Sequence, residues 1–307
     1  MIDRPSPAMS GTSILITAPE HSYVGQDRLA SFQRISNRVV IYMLAVTMVT
    51  VVGFPLFWML ISSFKPPSEL YMFPPNFLPA KWTIQNYQDL FTQTSFATYF
   101  LNSLIVACGA TMLSLAIGGL GAYSLSRFKF FGITRFAQLT MLCYMLPEVL
   151  IVIPLYIYVV DLGMADTLLA LIIGNTAFTL PLTLWYMRSY FNAIPVSFEE
   201  SAMIDGCTRL QALRKITLPL ALPGLIATGM FSFNHAWNEY LFALVFTSSE
   251  RNKVLSLGLA TWIGQDNIYS WGMLLASAVL VTIPVVLFYL LVQRKLVTGL
   301  SEGGAKG

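Results

Sequence analysis

Apolar residues run along this chain in long windows rather than in alternation, and six windows stand out: about Val39 to Phe64, Thr98 to Tyr123, Arg135 to Val160, Thr167 to Met187, Leu218 to Thr247 and Trp271 to Val292. A helix of about 20 residues crosses about 30 Å of hydrocarbon. The pattern therefore predicts an all-α integral membrane protein with six transmembrane helices. Pro55, Pro147, Pro154, Pro181, Pro223 and Pro284 fall inside these windows, which is tolerated where neighbouring helices or a water-lined cavity satisfy the freed backbone groups. Between the fourth and fifth windows the chain turns polar, from Ser197 through Glu199 and Glu200 to Asp205 and Gly206. Flanked by two spans, this stretch must lie at a membrane face and offer charged, helix-forming residues to something soluble.

Composition agrees: 56% of residues are hydrophobic and 11% charged, against about 25% charged in soluble domains. With the N-terminus inside, only Lys65, Lys81, Arg251 and Lys253 fall outside; every other Lys and Arg falls inside. That bias predicts cytoplasmic N- and C-termini and a cytoplasmic Glu199-Glu200 loop. Residues 1–37 are polar and Pro-containing, lack the apolar run of a secretory signal, and are expected to form a flexible cytoplasmic extension. Residues 38–297 form the transmembrane domain, with the polar loop at about 195–219, and the Gly-rich residues 298–307 a flexible cytoplasmic tail. In the first outer loop, Ile84 to Phe91 reads as an amphipathic segment on the membrane surface, or else as an extended connector. Cys108, Cys143 and Cys207 have neither disulfide-framework nor zinc spacing.

In the polar loop, Ser197 with Glu200 and Thr208 with Gln211 each have the spacing of a capping box. Two short helices hinged at Gly206 are expected, with Phe198 and Ala202 sharing a face on the first, Leu210 and Leu213 on the second, and Ala202 small enough for close approach to a partner. Charge and capping fit a docking surface and a plain amphipathic linker equally well.

Glu148 lies within the third window, where a carboxylate is costly, so it either faces a pathway or is a structural acid bonded to a neighbour. Asn234, His235, Trp237, Asn238, Glu239 and Tyr240 form the densest polar group of any span. Amides, carboxylates and rings suit the hydroxyls and flat faces of a sugar, although the same group could seal the bundle or an outer gate. His235 alone reads as a packing residue. In the last outer loop, Trp262, Gln265, Asp266 and Asn267 suit contact with a binding protein or form an interfacial aromatic belt. No Lys or Arg is expected deep in a span, which favours a neutral substrate. The chain has no phosphate-binding GxxxxGK[ST] loop and should not hydrolyse ATP.

Glu200-Ser201-Ala202, then Gly206 after three intervening residues and Ile216-x-Leu218-Pro219 after nine more, resemble the EAA loop of bacterial ABC importer membrane subunits, with Ser201 where that family usually has Ala. Phe54 to Leu60 running into Ser62-Ser63-Phe64-Lys65-Pro66, Asn86-Tyr87, Met145-Leu146-Pro147, Ile153 to Tyr156, Ala236 to Tyr240 and Leu300 to Gly307 are similar to carbohydrate-uptake permeases of the maltose type. The resemblance runs from about Val39 to the end. It implies a type I ABC importer permease fold in the bacterial inner membrane, with Phe198, Glu199, Glu200, Ser201, Ala202, Asp205 and Gly206 coupling to an ATPase. It implies a heterodimer with a second permease, two ATPase subunits that carry ATP and Mg, an extracytoplasmic solute-binding protein and surrounding lipid. No cofactor or metal on this chain and no nucleic acid are implied. The substrate expected is a neutral sugar or oligosaccharide, with Glu148, Asn234, Trp237, Asn238, Glu239 and Tyr240 along its pathway. A proton-coupled secondary sugar transporter and a membrane enzyme acting on lipid-linked sugar are the alternatives.

Overall fold

The computed structural model describes residues 23–129, 131–264 and 271–304. Among them every regular element is helical: α1 (Tyr23–Ser63), α2 (Pro67–Leu70), α3 (Gln85–Gln93), α4 (Phe96–Arg127), α5 (Ile133–Tyr144), α6 (Glu148–Asp161), α7 (Leu168–Ala193), α8 (Ser197–Ile204), α9 (Arg209–Ala212), α10 (Leu218–Leu220), α11 (Leu222–Asn238), α12 (Leu241–Phe246), α13 (Leu255–Gly264) and α14 (Trp271–Gly304). The chain divides into two units, Met1–Phe57 and Trp58–Gly307.

Four expected spans are single helices: Asn37–Ser63, Phe96–Arg127, Leu168–Ala193 and Trp271–Gln293. The other two are not straight. Arg135–Tyr144 and Glu148–Asp161 meet at 97°, and Arg209–Leu220 and Leu222–Asn238 at 76°. Pro147 immediately precedes α6, where it has no N–H to continue the ladder from α5 and disfavours helical backbone at Leu146. Pro219 and Pro223 flank the second break at Ala221. The expected span from Leu218 to Thr247 is further divided, because α11 ends at Asn238 and a separate short helix, α12, begins at Leu241.

Helices α4, α7 and α11 form the centre. Lipid supplies no hydrophobic drive between helices, so association relies on close packing of small residues and on interhelical hydrogen bonds. Both occur here. Ser114 and Thr183 are fully buried and hydrogen-bond at 2.8 Å between α4 and α7, and Ser232 of α11 lies 3.4 Å from Thr183. A Cβ on Gly118 would lie 2.5 Å from Thr183 Cγ2, and one on Gly224 of α11 would lie 2.3 Å from the Tyr190 ring of α7.

The loops are tied by single polar side chains. Asn86 of α3 donates from Nδ2 to the carbonyls of Ser63 and Lys65, both at 2.8 Å, pinning the end of α1. The Ile84 to Phe91 segment is therefore mostly helix α3, and Asn86 and Leu90 are buried, so it packs as well as lies at the surface. Before α7, Asp166 adopts φ +58°, and its carboxylate accepts the N–H groups of Ser248 at 2.9 Å and Ser249 at 3.0 Å. Hydrogen bonds from Ser249 and Ser248 hold that carboxyl down at about 2.

At the ends, α1 begins at Tyr23, within the stretch expected to be a flexible extension, and α14 continues to Gly304 through most of the expected Gly-rich tail. Propagating an existing helix adds one hydrogen bond per residue fixed, without a new nucleation cost.

Gly118→Val should wedge α4 from α7, because Thr183 is hydrogen-bonded and cannot withdraw. Overpacking of this kind costs about 1–3 kcal/mol, so purified protein should melt at lower temperature; a melting point equal to wild type would show that the seam can open freely.

Candidate functional site

The polar loop is anchored by a carboxylate that points inward. Glu199, on the first turn of α8, is 4% exposed. Its Oε1 accepts from Arg127 Nε at 2.7 Å and from Thr217 Oγ1 at 2.8 Å, and its Oε2 accepts from the Tyr123 hydroxyl at 2.8 Å. Arg127 in turn donates to the carbonyls of Phe191 at 2.9 Å and Ile194 at 3.1 Å. One ion pair thus joins the ends of α4 and α7 to α8 and to the widened π turn Leu213–Thr217. Burial pushes the Glu199 carboxyl up, but the hydrogen bonds from Arg127, Tyr123 and Thr217 outweigh it and hold the group below its ordinary 4.5.

Several expectations for this loop change. Glu199 points inward, its carboxylate buried against Arg127, Tyr123 and Thr217. Phe198 and Ala202 follow the i, i+4 spacing of one helical face but differ in burial: Phe198 is exposed, whereas Ala202 is buried, as is Glu199. Leu210 is exposed whereas Leu213 is buried. No capping box forms at Ser197, because the N–H groups of Phe198, Glu199 and Glu200 go to the carbonyls of Pro195 and Val196 instead. The Thr208–Gln211 box is present, with both bonds made.

Gly206 ends α8 at φ +89°. The Gly206 N–H bonds to the Met203 carbonyl at 3.1 Å and the Cys207 N–H to the Ala202 carbonyl at 3.0 Å, the paired bonds of a Schellman cap, which favours glycine at this position. Glu200, Ser201, Asp205 and Gly206 are exposed, and Ile204 and Leu210 add large apolar side chains to the same free surface.

At the other end of α11 lies a polar cavity of about 390 Å³ lined by Glu148, Asn234, His235, Asn238, Glu239, Tyr240 and Leu241. Glu148 Oε1 is 3.5 Å from His235 Nε2, and the His235 ring stacks on Phe178 of α7 with centroids 4.7 Å apart. Asn238 Nδ2 donates to the Asn234 carbonyl at 2.8 Å and lies 3.2 Å from Asn234 Oδ1. Glu239 lines the cavity but is 7% exposed, and its carboxylate accepts the N–H of Phe242 at 2.6 Å and of Ala243 at 3.3 Å, capping α12.

Trp237 lies on the opposite side of α11, 3% exposed, stacked on Phe233 and edge-on to Phe100. Helical phase separates the two sets. Phe233, Ala236 and Trp237 follow the i, i+3, i+4 spacing of a core stripe, whereas Asn234, His235 and Asn238 occupy the next one. Trp262 likewise belongs to the core, 6% exposed against Tyr99. The chain after Leu255 forms helix α13 there rather than an open loop. Gln265, Asp266 and Asn267 lie outside the described residues. Arg127, Tyr123 and Thr217 had no functional signal in the sequence. Among the described residues no cluster of His, Cys, Asp and Glu could hold a metal ion.

Glu199→Gln keeps the shape but leaves Arg127 buried and unpaired, at a cost of about 3–5 kcal/mol. Amide exchange across 197–206 should accelerate more than tenfold; no acceleration would show that something else holds the loop. A depressed folded pKa means that the carboxylate's contribution is complete above the ordinary 4.5 and is lost as pH falls through the lower folded value. In the wild type, protection of these amides relative to the unstructured rate at the same pH should therefore fall only on acidification below that range, and a fall between pH 8 and 6 would contradict the assignment.

A family model described as "Binding-protein-dependent transport system inner membrane component" matches residues 114–301. The inner membrane ABC transporter permease protein YcjP of Escherichia coli strain K12 is 38% identical over 281 residues, which cover 91% of this chain and 100% of that protein. The trehalose/maltose transport system permease protein MalG of Thermococcus litoralis is 34% identical over 277 residues, covering 90% and 99%. Among solved structures, a bacterial ABC transporter involved in import of the acidic polysaccharide alginate superposes with a TM-score of 0.72 at 26% identity, over 90% of this chain and 99% of that one. The match takes in both the clamped loop and the cavity-lining helix, and the chain belongs to the binding-protein-dependent transport system inner membrane component family, as a permease subunit of the sugar ABC transporter kind and not an enzyme.

Proposed function

We propose that this chain is one of two permease subunits forming the pathway of an ATP-driven importer for a neutral sugar or oligosaccharide delivered by a solute-binding protein. In this reading each bent helix pair counts as one crossing, giving six, and both termini and the α8–α9 loop face the cytoplasm, as the Lys and Arg distribution favours. The observation that carries it is a polar cavity set among apolar spans, on the helix whose other end continues into the Glu199-anchored loop.

The cavity offers carboxylates and amides, which suit sugar hydroxyls, and no Lys or Arg lines it. An acidic substrate would meet Glu148 with no compensating cation. That favours the uncharged kind named for the Thermococcus litoralis relative over the acidic polysaccharide named for the solved importer. Glu148, Asn234, Asn238 and Tyr240 are the proposed substrate contacts, and Glu239 positions α12 beside them. Outside the Arg127–Glu199 clamp, Phe198, Glu200, Ser201, Asp205 and Gly206 form the proposed ATPase contact, with ATP and Mg on the ATPase pair. Family membership sets aside both the proton-coupled secondary transporter and the enzyme acting on lipid-linked sugar.

Two substitutions separate the ends of this path in complexes reconstituted with the partner subunits. Asn238→Ala removes one hydrogen-bonding group, worth about 1 kcal/mol, and should raise the KM of uptake about fivefold while ATP use per sugar stays constant; an unchanged KM would remove Asn238 from the pathway. Gly206→Leu strains the left-handed cap by about 1–2 kcal/mol and should leave the protein inserted while ATP hydrolysis proceeds without uptake. Wild-type coupling in that variant would count against the rigid-loop reading.

A further inference from the structure

A second cavity, of about 570 Å³, lies between α5 and α7 and is lined by Ala137, Gln138, Met141, Leu142, Met145, Trp185 and Arg188. The α5 residues recur every four positions, so they form one stripe along the helix and its C-terminal cap. Five of these seven residues are apolar. Met145 is 73% exposed and Leu142 is 59% exposed, so the cavity opens sideways from the helix pair instead of into the core.

Arg188 lies one residue beyond the expected span Thr167 to Met187, inside the longer helix α7. It sits five residues before the end of α7 at Ala193, about 8 Å along the helix from the polar loop. Its Nε is buried and has no hydrogen-bond partner, and Arg188 takes part in none of the ion pairs among the described residues. That buried nitrogen lacks an acceptor. Unpaired polar groups in a low-dielectric setting are costly, and guanidinium geometry matches phosphate oxygens. The long apolar wall beside it has no such polar demand and suits a hydrocarbon chain.

The geometry points to this cavity as a binding site for one anionic phospholipid, its phosphate on Arg188 and the Gln138 amide and an acyl chain along Met141, Leu142 and Trp185. Basic pockets between transmembrane helices recognise lipid headgroups in this manner. The charge and the apolar wall act together: a soluble phosphate would leave the wall uncovered, and a zwitterionic lipid, whose phosphate already faces its own cation, would leave the charge of the guanidinium uncompensated. The assignment requires only that the chain spans the membrane, and it is independent of which substrate is carried.

The test is native mass spectrometry of the complete transporter purified from membranes, followed by exchange into mixtures of phosphatidylglycerol and phosphatidylcholine. The wild type should retain phosphatidylglycerol at least tenfold over its share of the mixture, one molecule per copy of this chain. Arg188→Gln should lose that preference, and Arg188→Lys should keep part of it. Met141→Trp, which fills the cavity without touching the charge, should displace the lipid from a complex that still elutes as an intact assembly, which covers the case in which Arg188→Gln fails to assemble. Equal retention of the two lipids by the wild type would overturn the proposal. So would a photoreactive residue at Gln138 that crosslinks to the second permease rather than to lipid, because the cavity would then be a subunit interface. Sugar uptake is not the readout, so a wrong substrate assignment leaves the result intact.

Discussion

The arrangement at the polar end of the molecule depends on one buried ion pair. Removing a guanidinium and a carboxylate from water is expensive, and the attraction between them offsets that cost only when the remaining hydrogen-bonding capacity of both groups is met. Arg127 and Glu199 satisfy this condition, through the Tyr123 and Thr217 hydroxyls on the carboxylate and the Phe191 and Ile194 carbonyls on the guanidinium. These partners come from three places in the chain: α4, the end of α7 and the π turn. The consequence is mechanical: α8 cannot swing as a free linker, because displacing it would strand a charge.

That clamp is useful only if the elements it grips are themselves rigid, and the α4–α7–α11 centre meets this need with backbone approach instead of bulky apolar side chains. Gly118 against Thr183 and Gly224 against Tyr190 leave no room for a methyl group, and the Ser114–Thr183–Ser232 line replaces polar contacts that lipid cannot provide. Rigid packing at the seam and a satisfied ion pair at its end are two parts of the same design.

Long-range partners explain what the sequence reveals and what it conceals. The spans are legible because about 20 apolar residues have few other destinations, and the Thr208–Gln211 cap because it is local. The bends at Pro147 and near Ala221 are marked by proline, but the angle depends on what each half packs against. Glu199 reads as a surface acid only because its partner Arg127 lies 72 residues away. Ser197 looks like a cap only until Pro195 and Val196 supply the acceptors first. The polar density of Asn234 to Tyr240 is visible in one dimension. That Trp237 leaves the group and Asn238 stays was also available, from the stripe that Phe233 and Ala236 share with Trp237, and that signal was missed.

Thr217 shows how the two ends relate. It binds Glu199 at 2.8 Å and is the last residue of the π turn that leads into α10. From there the chain bends by 76° and continues as α11 to Asn238 at the cavity. In the proposed transport cycle, a push on α8 therefore has two rigid routes toward Glu148 and Asn238: through Arg127 into the α4–α7 seam, and through Thr217 into α11. Any relative motion of α11 against α7 must then appear where their contacts are least interlocked. The Gly224–Tyr190 approach and the Ser232–Thr183 contact hold two levels of that pair, and the His235–Phe178 stack is the contact between them that lies beside the cavity, so motion of α11 against α7 reaches Glu148 through it.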